Sequence, residues 1–550
     1  MRGRYVDYDT GNPRAVSSEV MDRFHFIIVG AGAAGAAAAW RLTSKGYRVL
    51  CLDRGPRMEP SSYPSTGPDW EIRKRAEFNP AIAERQNRFD YPVDDADSPI
   101  AVCNFNAVGG STVLYSGHFP RFLEPDFSLK TNEGLGEDWP LSYAELMPYF
   151  ALNERQMGMS GLVGDPYYPH IEEALPPVPL GVAGARLARA FNEKRWHWWP
   201  SFAAIATRDK GGRSACLNLG PCNTGCPQGA KASADNTYLT DALRQGLTIV
   251  PEFAVSRVLV KDGVAYGVEG FDANGERHAF HADNIILASS AIGTPRILLN
   301  SRNAERPTGI GNTMGLVGRN LMIHPLGYVE GIFAERMDTD AGPQGCMLYS
   351  LQFYRSQEAG HKLGYMMHAL RGTGPVETAM SALGKRKLRF GSDIYGDFDA
   401  LYGKQLVVAI ICEDLPEVEN RIELDETRQD RFGDPGIKVH YKLHENTKKM
   451  MVRGMTRGRE LMAAAGAVRS SAYGPVRNTG WHLLGTARMG DDPQHSVVDP
   501  SGKVHDTDNL YVIDSSVFVT GSCVNPANTI QAVALLLSDR IDERVRQTIL

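Results

Sequence analysis

The chain has 550 residues, of which 43% are hydrophobic and 22% are charged, and its formal net charge is −5 at pH 7. This composition is typical of a globular protein with a large core, and the length favours two domains. The basic residues are scattered, no apolar run reaches the roughly 18 residues of a membrane span, and residues 1–26 lack a secretory signal pattern, so we expect a cytoplasmic protein with no nucleic-acid partner and no membrane span.

The first predicted elements form a strand–helix–strand unit around a glycine-rich turn. Residues 26–29 (FIIV) are a short apolar run without alternation, as expected for a buried parallel strand. An alanine-rich helix follows and ends near Gly46, and a second strand ends at Asp53. The turn between the first strand and the helix, residues 30–35, has the spacing Gly-x-Gly-x-x-Gly. This order of elements predicts a dinucleotide-binding βαβ unit.

The glycines of this turn suit the binding of a dinucleotide. Gly30 permits a tight turn, Gly32 lets a pyrophosphate approach the backbone, and Gly35 permits close packing of helix on strand. The free N–H groups of the helix N-terminus face the phosphates, and Asp53 is placed to bind ribose hydroxyls. The alternative, an ordinary glycine-rich turn, does not account for Asp53. The motif itself does not separate FAD from NAD.

A second fragment, residues 250–301, favours FAD. It contains predicted strands joined by turns at Asp262–Gly263 and Asn274–Gly275. It ends in a buried strand at Ile285–Ala288, followed by small residues at a helix start. A chain that leaves its dinucleotide-binding sheet for a β excursion and then returns is typical of FAD proteins, because FAD is long and needs the second crossing. The sequence therefore predicts FAD as the cofactor.

Seven blocks of the chain, in order, resemble the glucose–methanol–choline (GMC) family of flavin oxidoreductases over nearly the whole length. Tyr115 and Arg302 depart from the two family signatures, at the wall of the flavin site and at a helix end. The resemblance implies an FAD-dependent oxidoreductase that acts on CH–OH groups. The similar blocks are residues 106–119 and 290–301, which match the two signatures, and residues 318–325, 420–441, 480–490, 497–518 and 524–541.

The resemblance implies that His482 and Asn525 are the catalytic pair. Taken alone, a histidine among apolar residues, as His482 is, is usually a packed core histidine, and the alternative for Asn525 is a helix N-cap. In the family pattern the histidine takes the proton of the substrate hydroxyl, as a neutral imidazole with an ordinary pKa of ~6.5 can near neutral pH. The hydride passes to the flavin. Asn525 then hydrogen-bonds the substrate oxygen without competing for the proton.

The resemblance also implies the cofactor contacts, for which the alternatives are plain turns at the glycines and a strand-end cap at Asp514. Leu114 stands where some relatives attach FAD covalently through a histidine, and His118, four residues on, lies past the ring. We therefore expect tightly but non-covalently bound FAD. The implied cofactor-binding residues are Gly30, Gly32, Ala33, Ala34, Gly35, Asp53, Arg54, Gly109, Gly110, Ser111, Thr112, Val255, Ala288, Asp514, Pro526 and Ala527.

The substrate class is indicated by segments similar to the branch of sugar dehydrogenases, pyranose oxidases and glycoside oxidases. These segments are residues 120–161, residues 222–233 and the dipeptide Asn525–Pro526. They imply oxidation of a sugar or glycoside hydroxyl, with dioxygen, a quinone or a redox protein as electron acceptor. Residues 192–204 offer aromatic faces for sugar stacking, although a half-buried strand is the alternative. The competing functions are oxidation of a non-sugar alcohol, a lyase with structural FAD, and a non-catalytic flavin carrier.

Three of the eight cysteines, Cys216, Cys222 and Cys226, lie close together in the sequence. Such spacing suggests a metal or an iron–sulfur cluster. Some related subunits hold a cluster near here with adjacent cysteines, but Leu217 occupies the neighbouring place, and no fourth cysteine is nearby in the sequence. We therefore favour a disulfide or structural thiols and predict no metal site.

The predicted fold is a mixed α/β (α+β) architecture with two interleaved domains. A Rossmann-type FAD-binding domain alternates along the chain with a substrate-binding domain built on an antiparallel sheet with helices. A polar stretch, residues 57–104, is predicted as a long loop over the cofactor. The FAD-binding domain comprises residues 20–130, 212–312 and 476–550, and the substrate-binding domain comprises residues 131–211 and 313–475.

Overall fold

The computed structural model describes residues 3–6, 13–16, 24–85, 87–355, 360–371 and 374–549. The predicted domains include a few residues outside this described part, namely 20–23, 86, 356–359, 372–373 and 550. Most of residues 1–26, which lack a secretory signal pattern, also lie outside it.

Helices and strands alternate along the described part of the chain. The helices are α1 Ala33–Ser44, α2 Trp70–Arg75, α3 Leu129–Glu133, α4 Tyr143–Met157, α5 Gly181–Glu193, α6 Tyr238–Arg244, α7 Ser290–Asn300, α8 Pro375–Gly384, α9 Asp393–Asp399, α10 Glu445–Ala464 and α11 Ala527–Ile549. The strands are β1 Gly3–Val6, β2 Pro13–Val16, β3 Phe24–Val29, β4 Val49–Leu52, β5 Val93–Asp94, β6 Trp199–Pro200, β7 Thr248–Val250, β8 Ala254–Lys261, β9 Val264–Phe271, β10 Arg277–Leu287, β11 Leu326–Ile332, β12 Leu348–Ser350, β13 Tyr365–Leu370, β14 Gln405–Cys412, β15 Arg421–Gln429, β16 Pro435–His440, β17 Arg469–Tyr473 and β18 Leu510–Val512.

The predicted βαβ unit is confirmed as β3, α1 and β4. Strands β3 and β4 pair in parallel, and residues 26–29 are buried as their apolar run predicts. Helix α1 ends at Ser44, two residues before Gly46, which takes the left-handed conformation at φ +86°. The alanines of α1 are small enough for α11 to pack closely against it, and ion pairs such as Arg41–Asp539 join the two helices at 2.8 Å.

The return of the chain to this sheet is also confirmed, through the long strand β10. Its C-terminal half pairs in parallel with β3 and β18, while its N-terminal half pairs antiparallel with β9. The sheet order is β7-β4-β3-β10-β9-β8, with β18 beside β10. Ala288, predicted as the last strand residue, lies just beyond β10, and its N–H donates to the Val29 carbonyl at 2.8 Å. The carboxyl ends of β3, β4 and β10 therefore meet at one edge, where α/β sheets bind ligands.

A second, antiparallel sheet has the order β17-β11-β14-β13-β12-β6, and α10 packs against it. Together the two sheets confirm the predicted mixed α/β fold. Strand β6 covers only Trp199–Pro200, and Trp196 and Trp198 pack against the core of this second sheet. The aromatic stretch is thus used mainly for packing.

The stretch at residues 57–104 differs from a plain loop, because it contains α2 and β5. Strand β5 joins β15 and β16 in a small third sheet, where it pairs in parallel with β16. Asp430, which follows β15, accepts from the guanidiniums of Arg54 at 2.6 Å and Arg296 at 3.0 Å. This buried carboxylate fixes the third sheet to the dinucleotide-binding edge. In the described part of the chain, no helix is both long and apolar enough to cross a lipid bilayer.

Candidate active site

A cleft opens at the carboxyl ends of β3, β4 and β10, and its floor is the glycine-rich turn. Gly30 has φ +104°, and a Cβ there would lie 2.4 Å from the Ala288 carbonyl oxygen, so only glycine fits. Gly35 does not line the cleft; a Cβ at this position would overlap the Gly30 carbonyl. These two glycines therefore shape the turn by packing, as the motif predicts.

A second turn, residues 109–112, lies against the first. Gly109 has φ +100°, and its N–H donates to the Ala31 carbonyl at 2.9 Å. A Cβ on Gly110 would lie 2.8 Å from Gly32 Cα, whereas a Cβ on Gly32 would meet no protein atom closer than 3.8 Å. The space beside Gly32 is therefore open to a ligand, and this cradle fits the pyrophosphate of a dinucleotide.

Asp53 lies at the end of β4 and has two roles. Its carboxylate accepts from the N–H groups of Ala31 at 2.7 Å and Gly55 at 2.8 Å, which holds the glycine-rich turn in place. Burial raises its pKa to about 7, although these two hydrogen bonds oppose the shift. Asp53 also lines the cleft, where a ribose can reach its remaining lone pairs. Arg54 lines the cleft as well, but its guanidinium is held by Asp430 and by the Phe89 carbonyl.

Asp514 lies two residues after β18 and caps the short 3-10 helix Ser515–Val517, which differs from the strand-end cap of the alternative prediction. Its carboxylate accepts from the Ser516 N–H at 2.9 Å and from the Thr294 hydroxyl at 2.5 Å. Burial raises its pKa. The same side chain lines the cleft, so capping does not remove it from the candidate site.

Most of the predicted cofactor positions lie together in this cleft, and Gly35 and Gly109 support it from behind. Sequence reasoning missed Tyr91, whose ring lies between the guanidiniums of Arg54 and Arg296 at 5.2 and 4.5 Å. Its hydroxyl is buried without a partner and Tyr91 lines the cleft, which fits a polar ligand. The predicted residues that line the cleft are Gly30, Gly32, Ala33, Ala34, Asp53, Arg54, Gly110, Ser111, Thr112, Val255, Ala288 and Asp514.

The cleft continues into a larger cavity of about 830 Å³ that lies between the two main sheets. Pro526 and Ala527, also predicted as cofactor contacts, line this cavity together with His482 and Asn525. A long dinucleotide can thus lie in the cleft and extend its flavin end toward His482 and Asn525. The residues shared by the cleft and the cavity are Ala33, Ser111, Thr112, Trp481 and Ile530.

The structure brings His482 and Asn525 together in this cavity. Asn525 Nδ2 lies 3.2 Å from His482 Nε2, and Asn525 Oδ1 lies 2.8 Å from His118 Nδ1. Asn525 is two residues before the start of α11, and the contacts found for its carboxamide are with these two histidines. The amide is therefore held in one orientation between two imidazoles.

Two further histidines, missed by sequence reasoning, complete this cluster. His324 Nδ1 lies 3.0 Å from His482 Nδ1, and the His368 ring stacks on His118 with centroids 4.0 Å apart. Burial lowers the pKa of His118 and of His324 to about 4. Burial, together with repulsion from neighbouring histidines, lowers the pKa of His482 and of His368 well below the usual range. All four imidazoles are neutral at pH 7.

The turn after Gly110 forms another wall of the cavity. Leu114 is buried beside Phe105, which leaves no ring nitrogen at the position of a covalent tether. Tyr115 donates from its hydroxyl to the Ala232 carbonyl at 2.7 Å. The buried Lys231 ammonium donates to the carbonyls of Val113 at 2.8 Å and Tyr115 at 2.7 Å, so a cation underlies this turn.

The cysteines at 216, 222 and 226 are free thiols, so the disulfide alternative is wrong for this structure. A fourth cysteine distant in sequence, Cys346, packs against Cys216. Burial raises the pKa of Cys222 to about 11, which favours the thiol over a metal-binding thiolate. Among the described residues, the acidic and histidine group with converging ligand atoms is a different one. It consists of Asp272 and Glu276, on the turn between β9 and β10, and His278 near the start of β10.

Comparisons with known proteins find relatives along nearly the whole chain. Family models described as GMC oxidoreductase match residues 24–326 and residues 416–534. The chain is 36% identical to 2-methyl-1,2-propanediol dehydrogenase of Mycolicibacterium austroafricanum, over 95% of this chain and 96% of that protein. It is 27% identical to the fructose dehydrogenase large subunit of Gluconobacter japonicus, over 95% and 98%. It is 29% identical to paromamine 6'-oxidase of Streptomyces fradiae, over 92% and 89%.

Solved structures show the same fold. Pyridoxine 4-oxidase from Mesorbium loti superposes with a TM-score of 0.66 at 18% identity, over 94% of this chain and 99% of that chain. Formate oxidase of Aspergillus oryzae, studied for modification of its FAD, superposes with a TM-score of 0.63 at 18% identity, over 95% and 99%.

We expect FAD to be bound tightly but without a covalent bond, because Leu114 offers no nucleophilic nitrogen and the Nδ1 of His118 faces Asn525. Precipitation of the holoenzyme with acid should leave the yellow colour in the supernatant. Colour that stays in the pellet would show a covalent link and contradict this expectation.

Proposed function

Since the chain belongs to the GMC family of FAD-dependent oxidoreductases, which act on alcohol groups, we propose that His482 is the base that takes the proton of the substrate hydroxyl. The observation that carries this proposal is the pairing of His482 Nε2 with Asn525 Nδ2 at 3.2 Å beside the dinucleotide cleft. The bound FAD supplies the hydride acceptor. The residues that line the cleft would hold it.

The two side chains divide the work at the substrate oxygen. A substrate hydroxyl placed between them donates its hydrogen to the lone pair of His482 Nε2 and accepts a hydrogen bond from Asn525 Nδ2. Asn525 is locked by His118, so its N–H points toward this place before the substrate arrives. A positioned base of this kind contributes about 10²–10⁴-fold to the rate, or roughly 3–5 kcal/mol.

We propose a substrate with several hydroxyl groups, a sugar or glycoside, with a small diol as the non-sugar alternative. The cavity combines an apolar wall with polar atoms that are buried and have no protein partner. A substrate with further hydroxyls supplies partners for such atoms, whereas a long aliphatic alcohol leaves them unpaired. The unpartnered atoms are His118 Nε2, His368 Nε2, Gln344 Oε1 and Asn223 Oδ1, and the apolar wall is formed by Leu326, Leu370, Val407, Ala409 and Ile411.

The names of the relatives support the same class, since they include a diol and fructose. They include both dehydrogenases and an oxidase, so the proposed acceptor is dioxygen, a quinone or a redox protein. We also propose a cytoplasmic location, which is supported by the eight free thiols of the structure.

Replacing His482 by Ala tests the proposed base. The variant should slow flavin reduction by about 10²–10⁴-fold, because the proton acceptor is lost while the cleft is unchanged. Stopped-flow absorbance under anaerobic conditions measures this rate, and the ratio of flavin to protein absorbance measures FAD occupancy. A variant that loses its FAD instead would show that His482 is a structural residue.

The pH dependence of the same step follows from the lowered pKa of His482. The unprotonated imidazole is the active form, and burial, followed by repulsion from His324 and His118, keeps it unprotonated far below its ordinary pKa of ~6.5. The rate of flavin reduction should therefore be constant above about pH 6 and should fall only as the pH approaches the lowered pKa. An acidic limb centred near pH 7 would contradict this result.

The substrate class is tested with glucose, a simple glycoside, fructose and 1-octanol at equal concentration, with an artificial electron acceptor. A hydroxylated compound should give the highest kcat/KM. A matched pair, 2-methyl-1,2-propanediol and 2-methyl-1-propanol, differs by one hydroxyl, and the diol should be preferred by at least tenfold, which is about 1.4 kcal/mol. If 1-octanol leads by tenfold or more, the substrate class is wrong, although the role of His482 is unaffected.

A further inference from the structure

His324 lies two residues before β11 and is fully buried behind His482, outside the lining of the cavity. One ring nitrogen, Nε2, lies 2.6 Å from the carbonyl oxygen of Gly521, and the other, Nδ1, lies 3.0 Å from His482 Nδ1. The two imidazole planes cross at 78°. His324 therefore connects a backbone carbonyl to the face of His482 that points away from Asn525.

We propose that His324 is a positioning residue that holds His482 in the tautomer protonated on Nδ1, so that His482 Nε2 keeps its lone pair for the substrate proton. This inference rests on the proposed function, because it takes His482 as the base. It assigns His324 no contact with substrate or cofactor.

The positions of the protons follow from the carbonyl of Gly521. A carbonyl oxygen only accepts hydrogen bonds, so His324 carries its proton on Nε2. Burial lowers the pKa of His324 to about 4, so the ring is neutral and Nδ1 is bare. A bare Nδ1 can only accept, and His482 must therefore donate from its own Nδ1.

The donor and acceptor roles in the remaining hydrogen bonds, from His482 to His118, are then determined as well. His482 is neutral, so its Nε2 is bare and accepts from Asn525 Nδ2. The carboxamide oxygen of Asn525 accepts in turn from His118 Nδ1. The acceptor at Gly521 thus sets the donor and the acceptor of each hydrogen bond from His324 through His482 and Asn525 to His118.

The opposite tautomer of His482 is disfavoured by this environment. It would place two bare nitrogens 3.0 Å apart, or it would require a charged His324 in a buried site. The series of hydrogen bonds also ends at the Gly521 carbonyl, which cannot take up a proton. His324 therefore cannot pass a proton onward from the cluster, and its role is to orient the base.

The backbone at His324 and Gly521 favours the contact between the His324 ring and the Gly521 carbonyl. His324 has φ +42°, in the left-handed region that non-glycine residues seldom adopt, and such strain concentrates at functional sites. A Cβ on Gly521 would lie 3.1 Å from His324 Nε2, so the close approach of this carbonyl depends on a glycine. Both features hold the ring where it meets the carbonyl and His482 together.

The experiment compares His324→Leu with His324→Gln in the holoenzyme. Leucine removes the acceptor, whereas the glutamine carboxamide can both donate to Gly521 and accept from His482. We expect His324→Leu to slow anaerobic flavin reduction by about 10²–10⁴-fold and His324→Gln to recover at least tenfold of that loss. The matched control is His505→Leu. His505 is hydrogen-bonded to Ser496 and does not line the cavity, so this variant should reduce its flavin at nearly the wild-type rate.

The readout that a merely structural role would not change is the ¹⁵N spectrum of histidine. In the wild type, His482 should show a protonated Nδ1 and a bare Nε2, with the signals assigned by loss in His482→Ala. Equal rates in the leucine and glutamine variants, or a protonated Nε2 in the wild type, would overturn the inference. If no alcohol reduces the wild-type flavin, the proposed function fails, while the nitrogen signals still test the tautomer. If His324→Leu does not bind FAD, the role of His324 is tested by the wild-type nitrogen spectrum and by the rate of flavin reduction in His324→Gln.

Discussion

The cost of placing charge on the histidine cluster is the constraint on which the arrangement of the site depends, since His118, His324 and His368 are buried and His482 is half-buried. Four imidazoles meet in this cluster, and burial keeps each of them neutral. A neutral imidazole has one donor and one acceptor, so its hydrogen bonds have a direction. In a solvated or charged cluster the same residues would have several arrangements. Because these rings are neutral, His482 has one defined role, as the proposed base, and Asn525 has one defined role, as the hydrogen-bond donor.

The two sheets supply different parts of this site. His482 and Asn525 come from segments beside the dinucleotide-binding sheet, whereas His324 and His368 come from the start of β11 and from β13 of the antiparallel sheet. The cavity is therefore lined by the antiparallel sheet and by segments beside the dinucleotide-binding sheet, and neither part alone contains the cluster. This division explains how one cofactor edge can serve different substrates, since the wall facing the cofactor belongs to a separate sheet.

Local sequence patterns were sufficient for the cofactor side of the molecule. The apolar run at residues 26–29, the glycine spacing and the alanine-rich helix each encode their structure within a few residues, and the structure contains them. The pairing of His482 with Asn525 came only through the family resemblance, because the sequence around either residue suits a core histidine or a helix cap. His324, His368 and Tyr91 gave no local signal, since their contacts are with residues distant in the chain. Likewise, β5 is a strand only because β16 lies beside it, and the nearness of Cys346 to Cys216 depends on tertiary packing.

In the proposed reaction, this protein removes a hydride from the carbon and a proton from the oxygen of an alcohol. The most direct measurement is anaerobic mixing of the holoenzyme with a small diol and with the same diol deuterated at the carbinol carbon. The oxidised flavin absorbance should bleach, and the rate should be slower with the deuterated compound because the C–H bond breaks in this step. Product formation from alcohols without any change in flavin absorbance would contradict hydride transfer to the flavin and would leave FAD a structural role.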